Sequence, residues 1–432
     1  MQRRCNDVNA NDKHQRLPDV PPPNDCRPMR ELQQIARSTR SSNVVFARSR
    51  SPPPQRARPS HTSLLTTFQP PRTPNDPKTL QAADESTGTV GKRLDSVGLP
   101  NTPENRVALR AMLFSSPGVS QHVSGAILFD ETLKDAGLMA VLSKSGVIPG
   151  IKLDVGVAPL PGGGQGETYT MGLDGLAGRA RDAYERGARF AKWRATLRVD
   201  ASAGLPTDAA LRHMATGLAT YAAVSQQAGL VPIVEPELLA DGPGAGQSMA
   251  AAERAARRTL AALFAELAAQ GVSLEGALLK PSMVVAGAEH PERATTSADS
   301  VAEATLRVLR QTVPPALAGV VFLSGGQSEE EATRHLLRMN KIAAAKAAAG
   351  GAAAAGATTN GGGAGADADA AAASGRGAAT AFKPWPLTFS YGRALQASAL
   401  KAWAGKEGNV PAAQEAFLAR ARANGLAALG VE

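Results

Sequence analysis

Six charged side chains stand inside runs that otherwise read as buried β-strands: Lys152, Lys192, Arg194, Glu235, Glu237 and Lys280. An ionised group among apolar neighbours is costly unless a partner neutralises it. An outward or rim position would suit one or two of them but not the whole set. Lysines and carboxylates aimed into one shared mouth satisfy each other. The same crowding displaces pKa values, which proton transfer and amine chemistry both exploit.

A second group of residues suits an anion. Ser324-Gly325-Gly326 follows an apolar run and precedes a helical stretch, and Ser328 and Glu331 have the spacing of a capping box. Backbone N–H groups unobstructed by side chains can close on a phosphate there. Gly392 and Arg393 end the last apolar run and add further N–H and guanidinium donors. Two adjacent glycines alone would indicate only a turn, but Arg393 at the end of a neighbouring strand makes a phosphate pocket the better reading.

The elements that must position these groups recur in a regular order. Strand-like runs fall at Leu80–Ala83, Gly125–Phe129, Gly150–Gly156 and Phe190–Leu197. They continue at Val231–Glu237, Glu275–Met283, Gly319–Gly325 and Leu387–Ala394. Helical patterns separate most of them, among them 207–228, 248–269 with its stop at Gly271, and 298–310. Eight such units predict an α/β fold of the (β/α)8 TIM-barrel type, in which chemistry sits at the C-terminal ends of the strands and phosphate sites recur after strands seven and eight.

Composition marks off two other segments. Residues 1–76 are rich in Pro, Arg, Ser and Asn, and carry +7 of the formal net charge of +9. Residues 342–381 are almost wholly Ala and Gly with Asn, Asp and Thr. Neither composition supports a core, so 1–76 is expected to be a disordered basic tail, and 342–381 a flexible insert within a barrel domain spanning 77–432. With the positive charge concentrated in the tail, the barrel is nearly neutral, which argues against nucleic-acid binding. Cys5 and Cys26 are the only cysteines and both lie in the tail, so the barrel has no disulfide or cysteine-ligated metal. The histidines at 14, 61, 122, 213, 290 and 335 form no ligand set at useful spacing, and neither metal nor cofactor is expected. No apolar stretch reaches the roughly 18 residues of a spanning helix, so no membrane association is expected. The Arg/Ser-rich start is compatible with a transit peptide, but Asp7, Asp12, Asp19 and Asp25 count against one.

Seven segments together resemble the class I, Schiff-base fructose-bisphosphate aldolases. They are Ala82-Ala-Asp-Glu-Ser86, Gly150-Ile-Lys-Leu-Asp154, Phe190-Ala-Lys-Trp-Arg194, Ile233-Val-Glu-Pro-Glu237, Leu279-Lys-Pro-Ser-Met283, Leu323-Ser-Gly-Gly-Gln-Ser-Glu329 and Phe389-Ser-Tyr-Gly-Arg393. The match is collinear from about Gln81 to Gly430, broken by the Ala/Gly insert. The resemblance implies reversible cleavage of fructose 1,6-bisphosphate to dihydroxyacetone phosphate and glyceraldehyde 3-phosphate. It makes Lys280 the Schiff-base lysine, Lys192 its assistant, Glu235 the proton-transfer group of imine formation, Asp84 the carboxylate of bond cleavage and Glu237 a supporting carboxylate. A free lysine has a pKa of ~10.4, and burial beside a second cation is expected to depress that of the attacking amine. The resemblance assigns the ketose C1 phosphate to Ser324, Gly325, Gly392 and Arg393. It assigns the C6 phosphate to Ser86, Thr89 and Lys152, with Arg194 adding positive potential. It also implies a homotetramer, placed in the cytoplasm with the chloroplast as alternative. Val155 stands where a lysine often occurs in the family, and Gln81 interrupts the apolar pattern of the first strand. A different sugar-phosphate barrel enzyme and a scaffold without activity are the competing readings, and the combination of Lys280, Lys192 and Glu235 disfavours both.

Overall fold

The computed structural model describes residues 78–242, 244–358 and 383–432. The tail expectation for 1–76, and the part of the insert expectation that falls on 359–381, lie outside the described residues. Among the described residues there are ten strands: β1 Thr79–Ala83, β2 Val123–Leu128, β3 Ile148–Lys152, β4 Val157–Pro159, β5 Thr168–Thr170, β6 Phe190–Leu197, β7 Val231–Leu238, β8 Leu278–Leu279, β9 Gly319–Phe322 and β10 Leu387–Tyr391. Eight of them close into a parallel barrel in the order β1-β10-β9-β8-β7-β6-β3-β2. All eight sequence-predicted strands are barrel strands. The remaining two form an antiparallel hairpin between β3 and β6, pairing Val157 with Thr170 and Pro159 with Thr168, which the sequence reading did not anticipate.

Alternation along each strand sorts the side chains. Leu80, Ala82, Ile127, Phe190, Val231, Ile233, Leu278 and Val321 form one buried cluster inside the barrel. Residues at intervening positions, such as Val234, Leu279, Val320, Phe322 and Phe389, pack outward against the helices. Phe190 fills the interior because two neighbours have no side chain: a Cβ on Gly150 would lie 2.2 Å from its ring, and one on Gly125 2.9 Å. Gln81 does not break β1. It is buried on the opposite side from Leu80 and Ala82, and the strand runs through it.

Capping residues begin the helices on the expected pattern. Thr207, Ser248 and Ser297 accept from backbone N–H groups at the starts of helices Asp208–Gln227, Met249–Ala269 and Ala298–Thr312. Gly271 has φ +66 and ends the second of these in the left-handed region. β8 is much shorter than the predicted Glu275–Met283, because Pro281 has no N–H with which to continue the ladder. The insert expectation needs correcting at its start. Helix Glu329–Thr358 continues through residues 342–358, and Ala343 and Ala347 are buried. Alanine is the best helix former, and the run 343–349 is nearly all alanine, which outweighs the glycines that follow. No helix among the described residues is long and apolar enough to cross a membrane.

Candidate active site

The strand alternation that points Ile233 into the barrel also points Glu235 and Glu237 inward, two and four residues further along β7. On β6 the same step leads from Phe190 to Lys192 and Arg194, on β3 from Ile148 to Lys152, and beyond β8 from Leu278 to Lys280. On β1 it leads from Ala82 to Asp84, just past the strand end. The apolar interior of the barrel thus gives way to a layer of charge at the C-terminal ends of its strands.

Four of these charges touch. Lys192 Nζ lies 2.7 Å from Asp84 Oδ2 and 3.1 Å from Glu235 Oε2. Lys280 Nζ lies 3.0 Å from Glu235 Oε1. Lys192, Glu235 and Lys280 are each no more than 5 % exposed at the side chain, and Asp84 is 11 % exposed. Glu235 therefore bridges two buried lysines, and two carboxylates balance two ammonium groups without surface help. Lys192 is the neighbouring cation the sequence named, with Glu235 in contact with both lysines.

The cluster displaces protonation equilibria. Burial alone would raise the Asp84 carboxyl, but Lys192 and Lys280 outweigh it and bring its pKa down to about 2. Burial likewise opposes the ionised form of Glu235, and the two lysines again prevail, holding it below the usual carboxylate range. Lys192 is held above the ordinary lysine value, the pull of Asp84 and Glu235 exceeding the penalty of burial. The site thus keeps its carboxylates as bases and Lys192 as a fixed cation.

The other predicted residues surround this centre. Glu237 does not join the lysines; it pairs with Arg194 Nε. Burial opposes the Arg194 charge, but Glu237 more than compensates. Lys152 Nζ donates to the Asp154 carbonyl at 2.8 Å and pairs with the Asp154 carboxylate. Ser86 caps helix Thr87–Asp95 and shares a 3.1 Å hydrogen bond with Thr89 Oγ1, both side chains lying at the exposed rim. Ser328 and Glu331 form the expected capping box: Ser328 N–H donates to Glu331 Oε2 at 2.8 Å, and Glu331 N–H to Ser328 Oγ at 3.1 Å. Ser324, Gly325 and Gly326 turn over the end of β9 directly before it. A Cβ on Gly325 would lie 2.9 Å from Glu237 Oε1, so this turn packs against the charged layer.

Three residues at the mouth were not singled out from the sequence. Arg93 pairs with Glu85 and points its Nη2 to within 3.2 Å of where a Cβ on Gly392 would stand. Asp241 accepts from Arg393. All three lie outside the strands, on a helix or a loop, where a charged residue is ordinary and periodicity gives no signal. Among the described residues no group of three or more His, Cys, Asp or Glu could hold a metal ion.

The family described as glycolytic, fructose-bisphosphate aldolase class-I, matches residues 73–349 and 352–431. The chain belongs to the class I fructose-bisphosphate aldolase family. Its reaction is the reversible aldol cleavage of fructose 1,6-bisphosphate to dihydroxyacetone phosphate and glyceraldehyde 3-phosphate through a lysine Schiff base. It is 46% identical over 358 residues to a fructose-bisphosphate aldolase of Plasmodium falciparum, covering 82% of this chain and 85% of the relative. It is also 46% identical to the cytosolic fructose-bisphosphate aldolase 6 of Arabidopsis thaliana, covering 82% of this chain and 87% of that one. A solved structure of the Plasmodium falciparum aldolase superposes with a TM-score of 0.72 at 44% identity, covering 86% of this chain and 96% of that one.

Proposed function

We propose that Lys280 is the lysine that forms the Schiff base and that Glu235 moves the protons of its formation. The observation that carries this is the 3.0 Å contact between Lys280 Nζ and Glu235 Oε1, both side chains only 5 % exposed. For the amine to attack the ketose C2, the ammonium must give up a proton, and Glu235 is the acceptor in reach. The carbinolamine then loses water, with Glu235 returning a proton to the departing hydroxyl. Lys192, fixed as a cation between Asp84 and Glu235, stabilises the negative charge that develops on oxygen.

The iminium is the electron sink. When the C4 hydroxyl gives its proton to a carboxylate, the C3–C4 bond breaks, its electrons forming the enamine, and the aldehyde leaves. Asp84 takes the role of base, since Lys192 and Lys280 keep it ionised. Protonation at C3 restores the iminium, and water releases the ketone and regenerates Lys280. Glu237 serves indirectly by holding Arg194 in the mouth. Ser324, Gly325, Gly392 and Arg393 receive the C1 phosphate, and Ser86, Thr89, Lys152 and Arg194 the C6 phosphate. Lys280→Ala tests the assignment: cleavage falls to background while the fold persists. Near-normal turnover in that variant would refute it.

On the same resemblance we infer a homotetramer in the cytoplasm. The likeness to a cytosolic plant aldolase supports the compartment. Sedimentation equilibrium tests the assembly, and a monomeric mass would reject it.

A further inference from the structure

Two donors beside the C1 phosphate pocket already hold an anion, and the anion belongs to the chain. Asp241 Oδ2 accepts from Arg393 Nη2 at 2.8 Å and from the Gly326 N–H at 3.2 Å. Asp241 follows β7, Gly326 follows β9 and Arg393 follows β10, so three separate barrel loops meet on one carboxylate oxygen.

The arrangement is tied down on one side and free on the other. Gly326, at φ +71, packs so closely on the Asp241 loop that a Cβ there would stand 2.9 Å from Ala240 Cβ and 3.0 Å from the Ala240 carbonyl. Its own carbonyl accepts from Arg293 Nη2 at 2.7 Å, and Arg293 pairs with Glu331 at 2.8 Å, the residue that completes the capping box. The Gly326 N–H is thereby aimed at the mouth and held. Asp241 and Arg393 are 40% and 55% exposed at the side chain, so water reaches the pair and either side chain can swing aside. An N–H and a guanidinium on one oxygen are the contacts a phosphate oxygen would make. A phosphate dianion and a carboxylate cannot share them, because two anions at that separation repel strongly.

We propose that Asp241 is an internal competitor for the C1 phosphate: it engages Arg393 and the Gly326 N–H and must leave them when phosphate binds. The proposal rests on the assignment of Ser324, Gly325, Gly392 and Arg393 to that phosphate. The carboxylate keeps Arg393 at the mouth, whereas an unpaired guanidinium there would be free to turn into solvent. On binding, it weakens the grip on the phosphate and so favours release of the phosphorylated product. Asp241 is in this sense a positioning residue that acts through Arg393.

The probe is hexitol 1,6-bisphosphate, which carries both phosphates but no ketone, so its affinity reports phosphate recognition without imine chemistry. Calorimetric titration is made on the full chain and on Asp241→Asn, Arg393→Ala and the double variant. Asp241→Asn should tighten binding about threefold, the scale of losing one exposed ion pair. Arg393→Ala should weaken it about tenfold, and in that background Asp241→Asn should give no gain. A residue that merely supported the loop, or repelled phosphate from a distance, would show no such coupling to Arg393. Weaker binding in Asp241→Asn, or the same gain with and without Arg393, would overturn the proposal. If Arg393→Ala leaves affinity unchanged, the phosphate assignment itself fails, and the role of Asp241 falls with it.

Discussion

Glu235 and Lys280 meet across adjacent strands with Oε1 3.0 Å from Nζ, and the second oxygen of the same carboxylate lies 3.1 Å from Lys192. Register explains the meeting. Ile233 pairs with Leu278 and Val234 with Leu279, so the next residues along the two strands, Glu235 and Lys280, come level as the ladder ends. Glu235→Gln should therefore slow cleavage by roughly a hundredfold or more, the usual worth of general acid–base catalysis, in single-turnover assays. Loss of affinity at unchanged turnover would show that Glu235 binds substrate and does not move protons.

The pH dependence of stability follows from Asp84. Its pKa in the folded chain is depressed to about 2 from an ordinary value of 3.8. A depressed carboxylate contributes stability that is fully present above its unfolded pKa and is lost as pH falls through the folded value. The window is thus about pH 4 down to about pH 2, and the contribution is about 2 kcal/mol by linkage. Asp84→Asn should be less stable than the parent at pH 7, and urea titrations should show the gap closing across that window. A gap that stays constant to pH 2 would mean that the Asp84 charge is not coupled to folding.

Gly150 should be intolerant of a side chain for a reason remote from chemistry. An added methyl meets the Phe190 ring at 2.2 Å, and overpacking of this kind costs about 1–3 kcal/mol. Gly150→Ala should lower the melting temperature, and Phe190→Leu in the same chain should recover part of the loss. If the double variant is no better than Gly150→Ala alone, the close approach to the ring is not the cause.

The barrel was legible in the sequence because strands and charges reported the same thing. Lys192, Glu235 and Lys280 each interrupt an apolar run at a position whose neighbours two residues back, Phe190, Ile233 and Leu278, belong to the barrel interior. Period-two alternation carried that information without any structure. The β4–β5 hairpin was missed because Val157–Pro159 and Thr168–Thr170 are three residues each, too short to show a period. Glu237 is a supporting carboxylate by resemblance, but which cation it supports is not written in the sequence. Its partner, Arg194, lies two residues back from level on β6, where Arg194 pairs with Glu235 and Thr196 with Glu237, a distinction that only the three-dimensional register makes. Asp241 was invisible because its partners are brought in by β9 and β10, far along the chain.

Ala343 and Ala347 are buried on the helix that follows β9, and 359–381 is Ala/Gly-rich sequence with no large apolar side chain before Phe382. Replacing 359–380 by a short linker should change kcat by less than about twofold, since loop closure costs only about 0.6 kcal/mol per doubling of length. Beginning the deletion at 343 should lower the melting temperature. Equal stability of the two deletions would show that the buried alanines contribute nothing.

The central claim is that Lys280 is the covalent centre. The chain is incubated with dihydroxyacetone phosphate, reduced with borohydride and digested, and the modified lysine is located by mass spectrometry. One secondary-amine adduct on Lys280, absent without the ketone, is the predicted result. An adduct on Lys192 or Lys152 instead, or none on the folded chain, would contradict it.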